Sequence, residues 1–311
     1  MSTYVLSFKP VTRGFGRNDP SAVLFRDGEP VFGIEEERLS RSKHAVNEFP
    51  ERSIRACLSY CDRALADIDE IVIPYDHTRL STLIVENREK IVSNPAFFGR
   101  MQLSEESSRS FLSNVSAVTG ALGTYTGARS GGLVSVIADR LERLFGGPIP
   151  PITTEEHHLC HAASAYYPAE FDEGLILTLD GKGEYDSTVV WRAQNGALTR
   201  ERTYVDPNSL GFFFAAITEF LGYRAYNGEG KIMGLAPYGE HNDRIAQTRD
   251  SVVTGGVDYD VTEISTGMIG DDVRRLERLF GRPQKRRPES FTQWEKDLAF
   301  MAQQFLENTV V

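Results

Sequence analysis

Three of the six histidines of this 311-residue chain stand within five positions, in Glu155-Glu156-His157-His158-Leu159-Cys160-His161. If the segment His157 to Tyr167 is helical, His157 and His161 project from one face, while His158 points about a quarter-turn away. Two imidazoles one turn apart can share a divalent ion of the zinc or iron type, which then needs a third, usually carboxylate, ligand and an open position. Asp180 is the nearest plausible carboxylate. It ends the apolar run from Gly174, which reads as a buried strand, and opens the turn Asp180-Gly181-Lys182-Gly183-Glu184. Histidines at this spacing also arise as ordinary helix surface; the strand-end carboxylate that follows favours ligation. Glycines at 181 and 183 let backbone amides approach an anion, so the same turn is a candidate phosphate site.

The elements that must position these groups occur in one order twice. In the first round, strands at Tyr4–Phe8, Ser21–Phe25 and Pro30–Ile34 are joined by tight turns, one at Asp27-Gly28. A helix from Pro50 to Cys61 carries Ile54, Cys57, Leu58 and Cys61 on one stripe. Strands at Glu70–Tyr75 and Pro151–Thr154 lead into the histidine helix. The second round has strands at Leu175–Leu179, Ser187–Trp191 and Leu198–Val205, a turn at Asn195-Gly196, and a helix from Phe212 to Leu221. This duplication implies an α/β fold with two lobes like those of the actin, heat-shock ATPase and sugar-kinase superfamily, in which a nucleotide lies in the cleft. The first lobe is expected over residues 1–170 with a helical insertion at about 78–147. The second, over 171–311, is expected to be incomplete, lacking its last strands. A phosphate loop from Arg13 to Ser21 is expected beside the Asp180 turn. The final helix bears Leu298, Met301, Phe305 and Leu306 on one stripe, expected to lack its cover and so to give either self-association into a homo-oligomer or marginal stability.

The run His157-His-Leu-Cys-His-Ala-Ala-Ser-Ala-Tyr-Tyr through Asp180-Gly-Lys-Gly-Glu184, and later Glu229-Gly-Lys-Ile-Met-Gly-Leu-Ala-Pro-Tyr-Gly239, resemble the O-carbamoyltransferases of nodulation-factor, cephamycin, aminoglycoside and ansamycin biosynthesis. Asp19-Pro-Ser-Ala followed by Glu35-Glu-Glu-Arg-Leu-Ser-Arg-Ser-Lys43-His44 is similar to that family's opening hairpin. The resemblance implies iron(II) at His157, His161 and Asp180, and an ATP-derived carbamoyl-adenylate held by Asp180, Gly181, Gly183, Glu229 and Gly230. It implies that Lys43, His44 and Lys231 act near the transferred group. Lys231 meets a nucleotide phosphate on that reading and forms a structural ion pair on the other; Lys43 and His44 otherwise form a solvated basic turn. The family usually has His-Asp before the hairpin's Ser-Ala, whereas Asn18-Asp19 stands here, so a histidine general base is missing at that place. The implied partners are a small-molecule alcohol acceptor and a carboxy-terminal carbamoyl-adenylate-forming domain, which this chain does not encode.

The formal net charge of −10, with only the short basic run Lys285-Arg-Arg287, argues against a nucleic-acid partner. No run of about eighteen apolar residues and no basic leader is present, so no membrane association and a cytoplasmic location are expected. Three cysteines with no spaced framework read as reduced thiols. Two rivals share these features. A sugar-kinase-like ATPase would favour a carboxylate base over a histidine pair, and a non-catalytic binding module would explain Asn18.

Overall fold

The computed structural model describes residues 2–11, 18–76, 132–250 and 258–310. These form two compact α/β units, the first running through Cys160 and the second from His161.

The first unit is built on β1 (Tyr4–Phe8), β2 (Ser21–Arg26), β3 (Glu29–Glu35), β4 (Glu70–Ile73) and β5 (Ile152–Thr154), in the order β3-β2-β1-β4-β5. β1 pairs antiparallel with β2, setting Leu6 opposite Leu24, and parallel with β4, setting Leu6 opposite Ile71. Alternation explains the buried face: Leu6, Phe8, Ala22, Leu24, Ile71 and Ile73 all turn inward. Asp27 and Gly28 close the β2–β3 hairpin with positive φ at both positions, as a twisted two-residue turn requires. Helix α1 (Glu36–Ser40) follows β3, and α2 (Glu51–Tyr60) buries Ile54, Cys57 and Leu58 in the same core. Burial pushes the Cys57 thiol up to about 11, so it is a core residue and a poor nucleophile. The expected insertion is helical where described, as α3 (Gly132–Phe145); residues 78–131 lie outside the described residues, as does most of the expected Arg13–Ser21 phosphate loop.

Helix α4 (His157–Tyr166) leads to β6 (Glu173–Leu179), β7 (Asp186–Gln194) and β8 (Ala197–Val205), an antiparallel sheet ordered β6-β7-β8. The hairpin-joined triplet of the first unit is thus repeated, and among the described residues the second sheet has three strands where the first has five. The apolar α5 (Leu210–Phe220) is capped by Ser209, whose hydroxyl accepts the Phe212 N–H at 3.1 Å. Around it lie α6 (Glu229–Leu235), α7 (Asp243–Asp250), α8 (Ile269–Phe280) and α9 (Gln293–Val310).

The last helix departs from expectation. The stripe on α9 is covered: Leu298, Met301 and Phe305 are buried, and Leu306 packs against the same cluster. Phe305 meets Phe213 of α5 with ring centroids 5.3 Å apart. The helices of the unit supply the cover that was expected to come from further strands. Exposed apolar surface lies instead on β6, where Leu175, Leu177 and Leu179 are 68%, 38% and 41% exposed.

Candidate metal centre

Glu156 organises the start of α4. Its carboxylate accepts the N–H groups of His158 and Leu159, both at 3.0 Å, satisfying donors that have no partner inside the helix. The helix is unbroken from 157 to 166, so His157 and His161 keep the one-turn spacing on a single face, as the sequence reading expected. His158 is fully buried and belongs to the packing. The ring of His157 stacks on Tyr75 at 4.7 Å, and its Nδ1 lies 3.4 Å from the Pro74 carbonyl. A proton on Nδ1 directed at that carbonyl leaves the Nε2 lone pair for a ligand.

Asp180 closes β6. Its backbone N–H donates to the Ser187 carbonyl at 2.9 Å, and its carbonyl accepts the Ser209 hydroxyl at 3.2 Å. Gly211 is required beside it, because a Cβ there would come within 2.6 Å of the Asp180 carbonyl oxygen. With its backbone so fixed, Asp180 points Oδ2 to within 3.7 Å of His161 Nε2. One donor atom each from His157, His161 and Asp180 lie within 4.8 Å of one another. Two imidazoles and a carboxylate at this separation are the donor set of a three-ligand divalent site with open positions.

The surroundings favour a cation. The Tyr226 hydroxyl is pushed up to about 12, first by loss of solvation and then by the charges of Asp272, Glu229, Asp206 and Asp180. Four carboxylates from separate segments therefore bear on one small region that includes Asp180 of the candidate donor set. Burial also raises Asp272 to about 7, with Thr266 and Arg275 opposing that shift. Lys182 is drawn to Asp206 at 3.3 Å. Such a field repels a bare phosphate and attracts a divalent ion. Sequence reading missed Tyr226, Asp206 and Asp272; no motif joins them, and only the tertiary fold places them near Asp180.

In the Asp180 turn, the Gly181 N–H donates to Asp180 Oδ1 at 2.6 Å and the Gly183 N–H donates to the Asp186 carbonyl at 2.8 Å. Both amides on which a phosphate cradle was expected are engaged within the turn itself. Glu229 accepts the Tyr226 N–H at 2.6 Å, and Gly230 follows it in the first turn of α6. Lys231 lies with its ammonium 5.1 Å from the Tyr223 ring centre, a cation–π contact in place of the ion pair with Glu229 that was the structural alternative. Lys43 and His44 fall in the first unit, after α1, where the Lys43 ammonium lies 3.6 Å from Glu37.

A family model described as carbamoyltransferase N-terminus matches residues 15–311. Nodulation protein NolNO of Sinorhizobium fredii is 30% identical over 303 residues, covering 94% of this chain and 37% of that protein. The uncharacterized protein sll1178 of Synechocystis is 32% identical over 303 residues, covering 94% of this chain and 46% of its own length. The chain thus spans less than half of these relatives. Among solved structures, the Aquifex aeolicus PPX-GPPA enzyme aligns over 91% of this chain and 94% of its own at 10% identity and a TM-score of 0.30. YeaZ from Pseudomonas aeruginosa aligns over 66% of this chain and 70% of its own at 12% identity and a TM-score of 0.29. With the family model spanning residues 15–311, the histidine helix and the Asp180 turn included, the chain belongs to the carbamoyltransferase N-terminus family.

Proposed function

We propose that the chain is the acceptor-modifying, amino-terminal part of an O-carbamoyltransferase, which moves a carbamoyl group from carbamoyl-adenylate to a hydroxyl of a small-molecule natural product. The observation that carries this reading is the His157, His161 and Asp180 donor set within a segment that the family model spans. These residues would hold iron(II), which when bound supplies positive charge to the donor's phosphate or ribose oxygens. The carboxylates around Tyr226 favour a bound cation beside any phosphate here, with Lys182 engaged by Asp206 and the Lys231 ammonium facing Tyr223. Gly181 and Gly183 keep the turn small enough for close approach, and Glu229 and Gly230 shape the start of α6 on the nucleotide side. Lys231 is assigned to a donor phosphate, Lys43 to the charge on the transferred group, and His44 to the acceptor.

The test is metal analysis joined to transfer. The chain purified without chelator should hold one equivalent of divalent metal. Mixed with the carboxy-terminal portion that its relatives possess, it should release AMP from carbamoyl-adenylate in step with carbamoylation of an alcohol. A metal-free chain, or AMP release unaffected by His161→Ala, would remove the reading.

A further inference from the structure

We infer that Asp19 and His44 form a carboxylate-oriented general base, supplying from the turn after α1 the histidine that Asn18 displaces from the hairpin. The inference rests on the transferase reading for its chemistry and on the first unit alone for its geometry.

Nearly every polar atom of His44 is held. Its backbone N–H donates to Glu37 Oε2 at 2.7 Å, and its carbonyl accepts the Asp19 N–H at 2.9 Å. Its Nδ1 lies 2.9 Å from Asp19 Oδ1. Nε2 alone is left: it is out of contact with solvent and has no hydrogen-bond partner among the described residues. A buried nitrogen without a partner is costly, and such groups recur where chemistry uses them.

The run Glu35-Glu36-Glu37 explains how the arrangement is fixed. Glu36 is buried and accepts from the Ser53 N–H at 2.8 Å and the Ser53 hydroxyl at 2.7 Å, pinning α1 to the start of α2. Glu37, the next residue, holds the backbone of His44, and this bond, ahead of the nearby Lys43 and Arg38 charges, keeps its carboxyl below the usual range. His44 and Asp19 both sit at positive φ, 62° and 56°, a conformation uncommon outside glycine that their mutual bonds sustain. A histidine merely filling a solvated turn has no need of this.

Chemically, a carboxylate on Nδ1 selects the tautomer with its proton on that nitrogen and leaves Nε2 as the acceptor. As the acceptor oxygen bonds to the carbamoyl carbon, its proton passes to Nε2. The bond from that carbon to the adenylate phosphate oxygen breaks, and AMP leaves with the electron pair. Asp19 stabilises the imidazolium until its proton leaves with the departing AMP. His44 is thus the catalytic base and Asp19 a positioning residue.

Side-chain 15N spectra of the histidine-labelled 311-residue chain at pH 8.5, assigned by the signal lost in His44→Gln, test the orientation. The expected state is the Nδ1–H tautomer, converting toward Nε2–H in Asp19→Gly, which keeps the backbone φ accessible. An Nε2–H tautomer in the unaltered chain, or no change in Asp19→Gly, overturns the pair. Release of AMP from synthetic carbamoyl-adenylate by the chain mixed with the carboxy-terminal portion of a full-length relative, with water as acceptor, tests the chemistry; His44→Gln should lower it by about 100-fold or more. An equal rate in His44→Gln overturns the base. Absence of release from the unaltered mixture instead overturns the transferase reading, and with it the pair's catalytic role, while the tautomer result still decides the geometry.

Discussion

Among individual residues, the histidine segment offers two candidate ligands and one buried side chain that packs. His157→Ala and His161→Ala should each reduce bound metal well below that of the unaltered chain by elemental analysis. His158→Ala should keep its metal but melt several degrees lower, because a fully buried side chain is replaced by a void. Equal metal in all three variants would count against the site. Asp272 gives a second prediction, with the opposite sign to most carboxylates. Burial raises it from 3.8 to about 7 in the folded state, so between those values the folded chain holds a proton that the unfolded chain lacks. Its contribution is present at low pH and is lost as pH rises toward 7, by at most about 4 kcal/mol. Asp272→Asn, fixed neutral, should lose less stability than the unaltered chain between pH 5 and pH 8 in urea titrations. The His157/His161 pair was legible because helical period alone puts residues four apart on one face. Asp19 with His44, and the carboxylates about Tyr226, were not, because each set joins segments whose proximity no spacing in the sequence encodes.

At the level of elements, strands were legible from alternation and hairpins from Asp27-Gly28 and Asn195-Gly196, since both signals are local. The last helix was legible as a helix, but its neighbours were not. A stripe of Leu298, Met301 and Phe305 declares that something must cover it and says nothing of what. The cover is α5 and its flanking helices, so this stripe is a structural keystone of the second unit and not a sticky surface. Phe305 meets Phe213 on one side, and the Arg249 guanidinium lies 5.5 Å from its ring centre. Phe305→Ala should therefore cost about 3–5 kcal/mol of unfolding free energy. A loss under about 1 kcal/mol in denaturant titration would mean that α9 is not integral to the unit.

For the molecule as a whole, the chain spans 37% of NolNO and 46% of sll1178, and the expected division of labour follows from that shortfall. Alone, it should not carbamoylate an alcohol from ATP and carbamoyl phosphate. Supplied in trans with the remaining portion of a full-length relative, it should do so, and His161→Ala should abolish the restored activity while circular dichroism stays unchanged. Turnover by the unassisted chain would place adenylate formation within these 311 residues. The two sheets carry one more consequence. In the first, β1 lies inside its sheet, flanked by β2 and β4; its counterpart β6 is an outer strand among the described residues, with Leu175, Leu177 and Leu179 turned to solvent. An apolar outer strand is a template on which another chain can extend the sheet. Shelf life in concentrated solution, more than melting temperature, is where this should register: turbidity should grow with time and protein concentration, and a single charge at the strand's centre, Leu177→Lys, should delay it by acting as a gatekeeper against ordered aggregation.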